Sequence, residues 1–496
     1  MTRWSLLFVL STLLVFSACR KEEQLNSDSS ITLGFSKDTV IFDTVFTTLG
    51  SATRVLKIYN TSNSAVSVAS IILDQGDQSS FRVNVNGVPG VAFSDVELLG
   101  NDSLFIFVEV TIDPNNSNSP LIEEDELVFL TNGNEQRVKL VAWGQDAHFY
   151  YSTNQLNGLP DFTALDGDYF NGAPPITETW IADKPYVIYG YLMIDSLDHL
   201  TIDPGVQVHF HDGSGLWVLN HGQITVNGTL ENPVVFQHDR LEPLYDDLPG
   251  QWDLIRVNEG FAGSDNVFTH AIIKNSLLGI QASPLTLSEN DLLKPTSENK
   301  LILNNCKISQ SSALNLYVRN YRVEAKNCLF ANAGQYTCGI TGGGEFDFQH
   351  CTFGNYWVFG TRTTPSFYMS NAYEDELGNL QSRQIESFSA RNCVMYGNTF
   401  EEFFVEFDTF QDQSNISFSH CLVRVDEMDI TPLIFQNMFS NVAVGPGFVS
   451  PTDNDFHLIE NSYCRDRGDN SLVLGVDLDE ALRDASPDLG CYEYHE

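Results

Sequence analysis

Cations are what this 496-residue chain has least of: 26 Lys and Arg stand against 65 Asp and Glu, a formal net charge of −39 at pH 7. A field of that sign repels nucleic acid, anionic headgroups and polyanionic glycans unless cations intervene, and it all but excludes nucleic acid as a partner. The apolar stretch from Trp4 to Phe16 falls short of the ~20 residues that a membrane-spanning helix needs. Disorder is excluded by a hydrophobic content of 42% with 18% charged residues. The length favours two or more domains, and the abundance of Phe (34) and Tyr (18) favours β-structure.

Arg3, the apolar stretch and the small residues ahead of Cys19 have the layout of a secretory signal. Phe16-Ser17-Ala18-Cys19 resembles the lipobox of bacterial lipoproteins, with Phe16 where Leu is commoner. The resemblance implies cleavage before Cys19 and lipidation of its thiol, with enough acyl chains for stable anchoring. An ordinary secretory peptide with an incidental cysteine is the plainer alternative. Arg20-Lys21-Glu22-Glu23 resembles the surface-export signal of some Gram-negative lipoproteins. The expected location is therefore the outer membrane, lipid-anchored and facing the cell exterior. Residues 1–18 are read as signal peptide and 19–30 as a flexible tether.

From 31 to 147 short alternating runs such as DTVIFDTVF, RVLKIYN and DSLFIFVEVTI are separated by Asn, Gly, Asp, Ser and Pro. Seven or so strands in this span suggest an immunoglobulin-like β-sandwich. Leu104, Ile106, Val108 and Val110 alternate with Phe105, Phe107 and Glu109, which suits a strand covered on much of both faces. The order of phrases resembles the abnormal-spindle/major-sperm-protein-like immunoglobulin domains of bacterial surface proteins. That resemblance implies a spacer or interaction module without catalytic residues.

Beyond it one phrase recurs: LILNNCKIS, VEAKNCLFA, FDFQHCTFG, FSARNCVMYG and ISFSHCLVR. Cys306, Cys328, Cys351, Cys393 and Cys421 are 22, 23, 42 and 28 residues apart, with apolar residues five and three before each and two after. This is period-two alternation repeated at the interval of a coil. Directly before each cysteine stand Asn305, Asn327, His350, Asn392 and His420, residue types enriched at positive φ, so each is expected at a left-handed corner between two strands. The cysteines are expected as a ladder of buried, unbridged thiols, because stacked rungs hold Cβ atoms parallel ~4.8 Å apart whereas a disulfide needs ~3.8 Å and converging vectors.

The upstream phrases Leu200-x-Ile202-x-Pro204-Gly205-Val206 and Gly222-x-Ile224-x-Val226-x-Gly228-Thr229 resemble the opening coils of right-handed parallel β-helix proteins. The fold class is accordingly all-β: an N-terminal immunoglobulin-like sandwich, a linker leading into the coils (148–175), a right-handed parallel β-helix (176–460) of about eleven rungs, and a closing segment (461–496). Ser462, Asp466 and Gly468 with Asp488, Gly490, Tyr492 and Glu493 resemble the terminal segment of exported bacterial β-helix proteins. A disulfide between Cys464 and Cys491 is expected there in an oxidising compartment, two separate buried thiols being the alternative.

The chemistry is less legible. His209, His211, His221 and His238 could share a metal, although solvated surface histidines are the simpler reading. Glu402, Glu406 and Asp408 form an expected outward acidic stripe; calcium is the cofactor that would suit it, and a solvated face the plainer account. Trp217, Tyr245, Trp252, Tyr356 and Trp357 could stack on sugars or fill the coils. Polysaccharide lyases and pectin hydrolases share the resembled fold, and Arg362 and Arg383 flank an excursion where such a site could sit. No motif of those enzymes is present, so no catalytic or metal residue is assigned. The expected function is non-catalytic: a cell-surface lipoprotein, attached to the membrane by its lipid, that presents a β-helix to glycans or surface proteins. A polysaccharide lyase or glycoside hydrolase is the alternative.

Overall fold

The computed structural model describes residues 25–47, 50–113, 121–167, 174–285, 295–375, 378–408, 410–472 and 475–496; Cys19 and the signal segment lie outside them. The described residues hold strands, turns and short 3-10 turns, and none of their helices is long and apolar enough to cross a membrane. The chain divides into two compact units, 1–146 and 147–496.

In the first unit ten strands form two five-stranded sheets. They are β1 (Gly34–Phe35), β2 (Thr39–Phe46), β3 (Arg54–Tyr59), β4 (Val66–Leu73), β5 (Phe81–Val85), β6 (Val88–Gly90), β7 (Ala92–Leu98), β8 (Ser103–Val110), β9 (Leu121–Thr131) and β10 (Asn134–Gln145). One sheet runs β1-β3-β8-β5-β6 and the other β2-β10-β9-β4-β7. Alternation explains the packing: Leu56 and Ile58 of β3, Ile106 and Val108 of β8, and Leu127 and Phe129 of β9 all turn into one buried core. Strand β8 is covered on one face only. Its other face leaves Phe105 47% and Phe107 40% exposed, against the expectation of cover on both.

The second unit is a parallel solenoid. An eleven-stranded sheet runs from His148–Tyr151 to Phe439–Ser440, and a seventeen-stranded sheet receives strands from successive coils. The expected linker already contributes the first rung, with His148 opposite Tyr186 in parallel register. The rungs end at 440, where Gly445-Pro446-Gly447 and Pro451 leave the sheet for a hairpin, Phe448–Ser450 with Asp455–Leu458.

Three inward columns run along the axis. Leu301, Val323, Phe346, Phe388 and Ile416 are successive register partners, as are Leu303, Ala325, Phe348, Ala390 and Phe418. Ile308, Phe330, Phe353, Met395 and Val423 form the third. All are buried, and burial of each Phe is worth ~1.5–3 kcal/mol. Small residues alternate with rings in the second column. Phe348 there meets Phe353 at 5.5 Å and Phe388 at 5.9 Å, so rings from different columns interlock.

The same registers put Cys306, Cys328, Cys351, Cys393 and Cys421 at equivalent positions, all fully buried as free thiols. Burial, reinforced by neighbouring thiols, pushes Cys306, Cys351 and Cys421 up. The residue before each cysteine is left-handed: φ is 52° at Asn305, 49° at Asn327, 49° at His350, 57° at Asn392 and 50° at His420. Each donates its backbone N–H to the carbonyl at the equivalent corner of the next coil, from Asn305 to Lys326, Asn327 to Gln349, His350 to Arg391, Asn392 to Ser419 and His420 to Gln436.

The closing segment folds back along the flank of the solenoid. Phe456, Leu478, Cys491 and Tyr492 cover Leu329 and Ala331, while Leu458, Cys464 and Leu489 cover Val394, Tyr396 and Leu422. The corner side chains receive it. Asn327 Nδ2 donates to the Val476 carbonyl (2.9 Å), Arg483 Nη2 donates to Asn327 Oδ1 (3.1 Å), and the Asp469 N–H donates to Asn392 Oδ1 (2.6 Å). Gly354 lies beneath it, where any Cβ would overlap the Phe456 ring. The bridge expected between Cys464 and Cys491 is not formed. Each thiol packs in its own apolar cluster, and burial pushes each up to about 12.

Candidate functional site

The solenoid disperses most of the side chains that the sequence singles out. His209 is buried, with Nδ1 2.8 Å from the His238 carbonyl, and burial pushes it down to about 4. His238 Nδ1 accepts from the Arg240 N–H, His211 pairs with Asp239 at 2.8 Å, and His221 stacks on Phe261 at 3.9 Å. Among the described residues no group of three or more His, Cys, Asp or Glu could hold a metal ion.

The acidic stripe is broken by Glu402. The strand begins one residue later, at Phe403, so Glu402 escapes its alternation and turns inward. It is fully buried and paired with Arg362 at 2.8 and 2.5 Å. Glu406 stays outside, accepting from Tyr368 Oη, and hydrogen bonds from Ser382 and Asn371 hold the Asp408 carboxyl low.

The aromatic candidates scatter as well. Trp252 stacks on Phe210 inside the coils (4.2 Å), and Trp217 is buried with Nε1 donating to Asn258. Tyr245 lies under Arg240 (4.1 Å), and Trp357 packs on Phe359. Arg383 follows the hairpin Ala372–Glu374/Leu380–Ser382, the excursion behind the 42-residue spacing, and donates its backbone N–H to Asn371. Tyr356 lines a cleft.

That cleft, of about 660 Å³, is open to solvent and lined by four separate stretches of chain: Tyr356; Tyr396, Gly397 and Phe400; Arg424, Val425 and Asp426; and 441–448 with Pro451 and Ile459. Its floor follows from the stacking of the coils, because Tyr396 faces outward from strand Val394–Gly397 while Met395 faces in. Gly397 has to be glycine: a Cβ there would overlap the Asn355 carbonyl and the Glu402 carboxylate. The loop that carries Phe400 is fastened from beneath. Glu402 accepts the Thr399 N–H (2.7 Å) and the Arg362 guanidinium, and Arg362 also donates to the Asn355 carbonyl and to Asn398. Glu401 accepts from the backbone N–H groups of Asp426, Glu427 and Met428 and so fixes the opposite rim.

Within the cleft Arg424 donates to the Gly397 carbonyl (2.8 Å), its guanidinium 5.8 Å from the Tyr396 ring and 5.7 Å from the Phe400 ring. Phe400 is 75% exposed. The third wall is pinned by Asn441, whose side chain exchanges hydrogen bonds with the Val425 N–H and carbonyl, and by Pro446, whose carbonyl accepts from Ser462 Oγ and the Tyr463 N–H. Asp426 is the one carboxylate among the lining residues. Two rings, a cation held beside them and one carboxylate at a shallow opening can stack on and hydrogen-bond a polar ring. Sequence reasoning missed Tyr396, Phe400, Arg424 and Asp426 because the coils and the closing segment, not a local motif, bring them together.

Residues 292–450 match the family model of the right-handed beta helix region. The solenoid is a right-handed β-helix over that span, which contains the whole cysteine column and most of the cleft. No curated protein matches the chain. Among solved structures, similarity extends to a family 123 glycoside hydrolase from Clostridium perfringens, with 8% identity, 25% of this chain on 30% of that one, and a TM-score of 0.17. It extends also to the VesB protease of Vibrio cholerae, with 13% identity, 23% on 32%, and a TM-score of 0.16. The chain spans about a third of the length of each of these structures, and likeness at this level carries no argument.

Proposed function

We propose that the protein is a non-catalytic, lipid-anchored outer-membrane lipoprotein that faces the cell exterior and presents its β-helix to glycans. The observation that carries this reading is the open cleft in which Tyr396, Phe400, Arg424 and Asp426 converge. Glycosidic hydrolysis generally uses two carboxylates facing each other across the bond. Asp426 is the one carboxylate lining the cleft, and neighbouring Glu401 and Glu402 are engaged by backbone N–H groups and by Arg362. That favours binding over a hydrolase. A lyase needs a proton acceptor and a cationic clamp on the uronate, and Asp426 and Arg424 are the one carboxylate and the one cation lining the cleft, so the search for unsaturated products below is what separates a lyase from a binder.

The first unit is read as an immunoglobulin-like spacer. Its strand orders, β1-β3-β8-β5 on one sheet and β10-β9-β4 on the other, follow the ABED and GFC sheets of that fold. Its last strand carries the chain from the turn at 132–134 to Gln145, roughly 35 Å away along the strand.

The test incubates the soluble form, residues 24–496, with neutral and uronic-acid polysaccharides. Retention on an immobilised glycan that falls at least tenfold in Phe400→Ala and Arg424→Met, with no new reducing ends or unsaturated products, is the expected result. Turnover of any polysaccharide would sink the non-catalytic reading; retention indifferent to both substitutions would remove the cleft from it.

A further inference from the structure

The first unit has an end and a flank that set it apart from the rest of the acidic molecule. Residues 26–33 are not free chain. The Asn26 N–H donates to the Ala65 carbonyl (2.8 Å), and Asn132 Nδ2 donates to the carbonyls of Asn26 (3.1 Å) and Asp28 (3.0 Å). Asn134 Nδ2 donates to the Ser29 carbonyl (2.7 Å), and the Gln136 side chain exchanges two hydrogen bonds with the backbone of Leu33 (both 2.9 Å). The chain is thereby fixed to the end of the sandwich built from the turns at 60–65, 99–102 and 132–134. Those turns are tied to one another, Asn60 Nδ2 donating to the carbonyls of Leu98 and Leu99 and the Asn101 N–H to that of Ser62. Only six Cα steps separate Cys19 from Leu25. At a maximum of ~3.6 Å per step they reach ~20 Å.

A second observation comes from the same end. On the outer face of the β1-β3-β8-β5-β6 sheet, Tyr59 lies opposite Ser103, Lys57 opposite Phe105 and Val55 opposite Phe107. Phe105 and Phe107 stack at 6.4 Å, and Lys57 Nζ stands 4.6 Å from the Phe105 ring and 5.8 Å from the Tyr59 ring. Farther from the tether the same face turns charged, with Arg82 opposite Glu109. Asp102 is the only carboxylate in the three turns, and Leu99 is half exposed. Asp28, in the chain fixed against the turns, is the second carboxylate at this end. Exposed rings with a lysine alongside suit the headgroup region of a bilayer.

We propose that this end, with Tyr59, Lys57, Phe105 and Phe107, rests on the headgroups of the membrane that holds the lipid on Cys19. The contact rests on the lipid-anchor reading, and it makes the first unit a membrane-seated foot instead of a freely swinging spacer. The tether is too short to let this end leave the surface by more than ~20 Å, and the aromatic flank gives it reason to stay.

The experiment uses the full lipidated chain in vesicles of phosphatidylethanolamine and phosphatidylglycerol doped with a nickel-chelating lipid. The eight described cysteines are buried. A spin label on Asn63→Cys, at the tether end, or on Asp77→Cys, beyond the far end of β4, therefore reports one site. The expected result is relaxation by the nickel lipid several-fold stronger at 63 than at 77, reduced by Phe105→Ser with Phe107→Ser while flotation with the vesicles is unchanged. Equal relaxation at the two positions in floating protein overturns the contact and leaves the anchor standing. Relaxation at 63 that ignores the double substitution removes the aromatic flank from the proposal. Protein that fails to float sinks the anchor reading, and the contact with it.

Discussion

Replacing Asn392 by glycine separates two explanations of why an Asn or His stands at every corner of the cysteine column. If the backbone alone matters, glycine is harmless, because it adopts the corner's φ of 57° without strain. The side chain, however, holds the closing segment: Oδ1 accepts from the Asp469 N–H (2.6 Å), and Nδ2 donates to the Asp469 carbonyl (3.3 Å) and lies 3.0 Å from His350 Nε2. Losing three such bonds at about 1 kcal/mol each, with the Asp469 N–H left part-buried and unpaired, amounts to ~2–4 kcal/mol. Asn392→Ala adds ~1–2 kcal/mol for a Cβ in the left-handed region. Asn305 is the internal control. It is also left-handed, but its side chain makes no bond to the described residues of the closing segment, so Asn305→Gly costs at most ~1 kcal/mol. Urea midpoints of the 24–496 form, with hydrogen exchange of amides 464–494 to localise the effect, measure all of these. The reasoning is refuted if Asn392→Gly is as benign as Asn305→Gly, or if exchange at 464–494 stays slow in it.

Arg362→Met leaves Glu402 buried and unpaired beneath the cleft and is expected to cost ~3–5 kcal/mol by urea midpoint; adding Glu402→Gln should recover part of it. His457 lies between Asp479 and Asp455 (both 2.6 Å), with Lys307 3.5 Å from Asp479 and the Tyr492 ring against it, and the hydrogen bond to Asp479 holds its pKa above the ordinary value. A raised folded pKa means that its stabilisation is complete below ~6.5 and fades as pH rises through the folded value. Protection from exchange at 475–482, taken relative to the intrinsic rate at each pH, should therefore fall over that window, and His457→Asn should flatten the dependence. Thiol titration of the 24–496 form without reductant should find eight groups on unfolding and no fast ones before it; six would mean that Cys464 and Cys491 are bridged.

The columns of the β-helix could be read because they depend on local alternation: a residue five before a cysteine faces inward whatever the rest of the chain does, and a left-handed corner selects Asn and His by its own sterics. The excursion at 371–384 was legible as an anomalous spacing. The cleft was not. Tyr396 is the outward neighbour of a legible inward residue, Met395, and outward positions acquire meaning only from what lies over them. Glu402 departs from the expected outward stripe for a related reason: alternation predicts its face only inside a strand, and the strand starts at Phe403. Phe105 and Phe107 lie bare against the expectation of cover on both faces, because a run of apolar residues in a strand does not tell a packed outer face from an exposed one.

The corners and the cleft are parts of one mechanical chain. The wall at 445–448 is held by Ser462 and Tyr463 through the Pro446 carbonyl, and those residues open the closing segment. The segment is held in turn by Asn392 through Asp469, by the Gly490 N–H on the Asn392 carbonyl, and by Arg483 on Asn327. Asn327 and Asn392 therefore satisfy a backbone requirement and a docking requirement together, and glycine, the better choice for the first, would forfeit the second. A wall fastened this way opens with the segment that fastens it. Exchange at 445–448 should rise alongside 464–494 in Asn392→Gly, whereas a wall that held while the segment exchanged would place its support in Asn441 and the coil beneath.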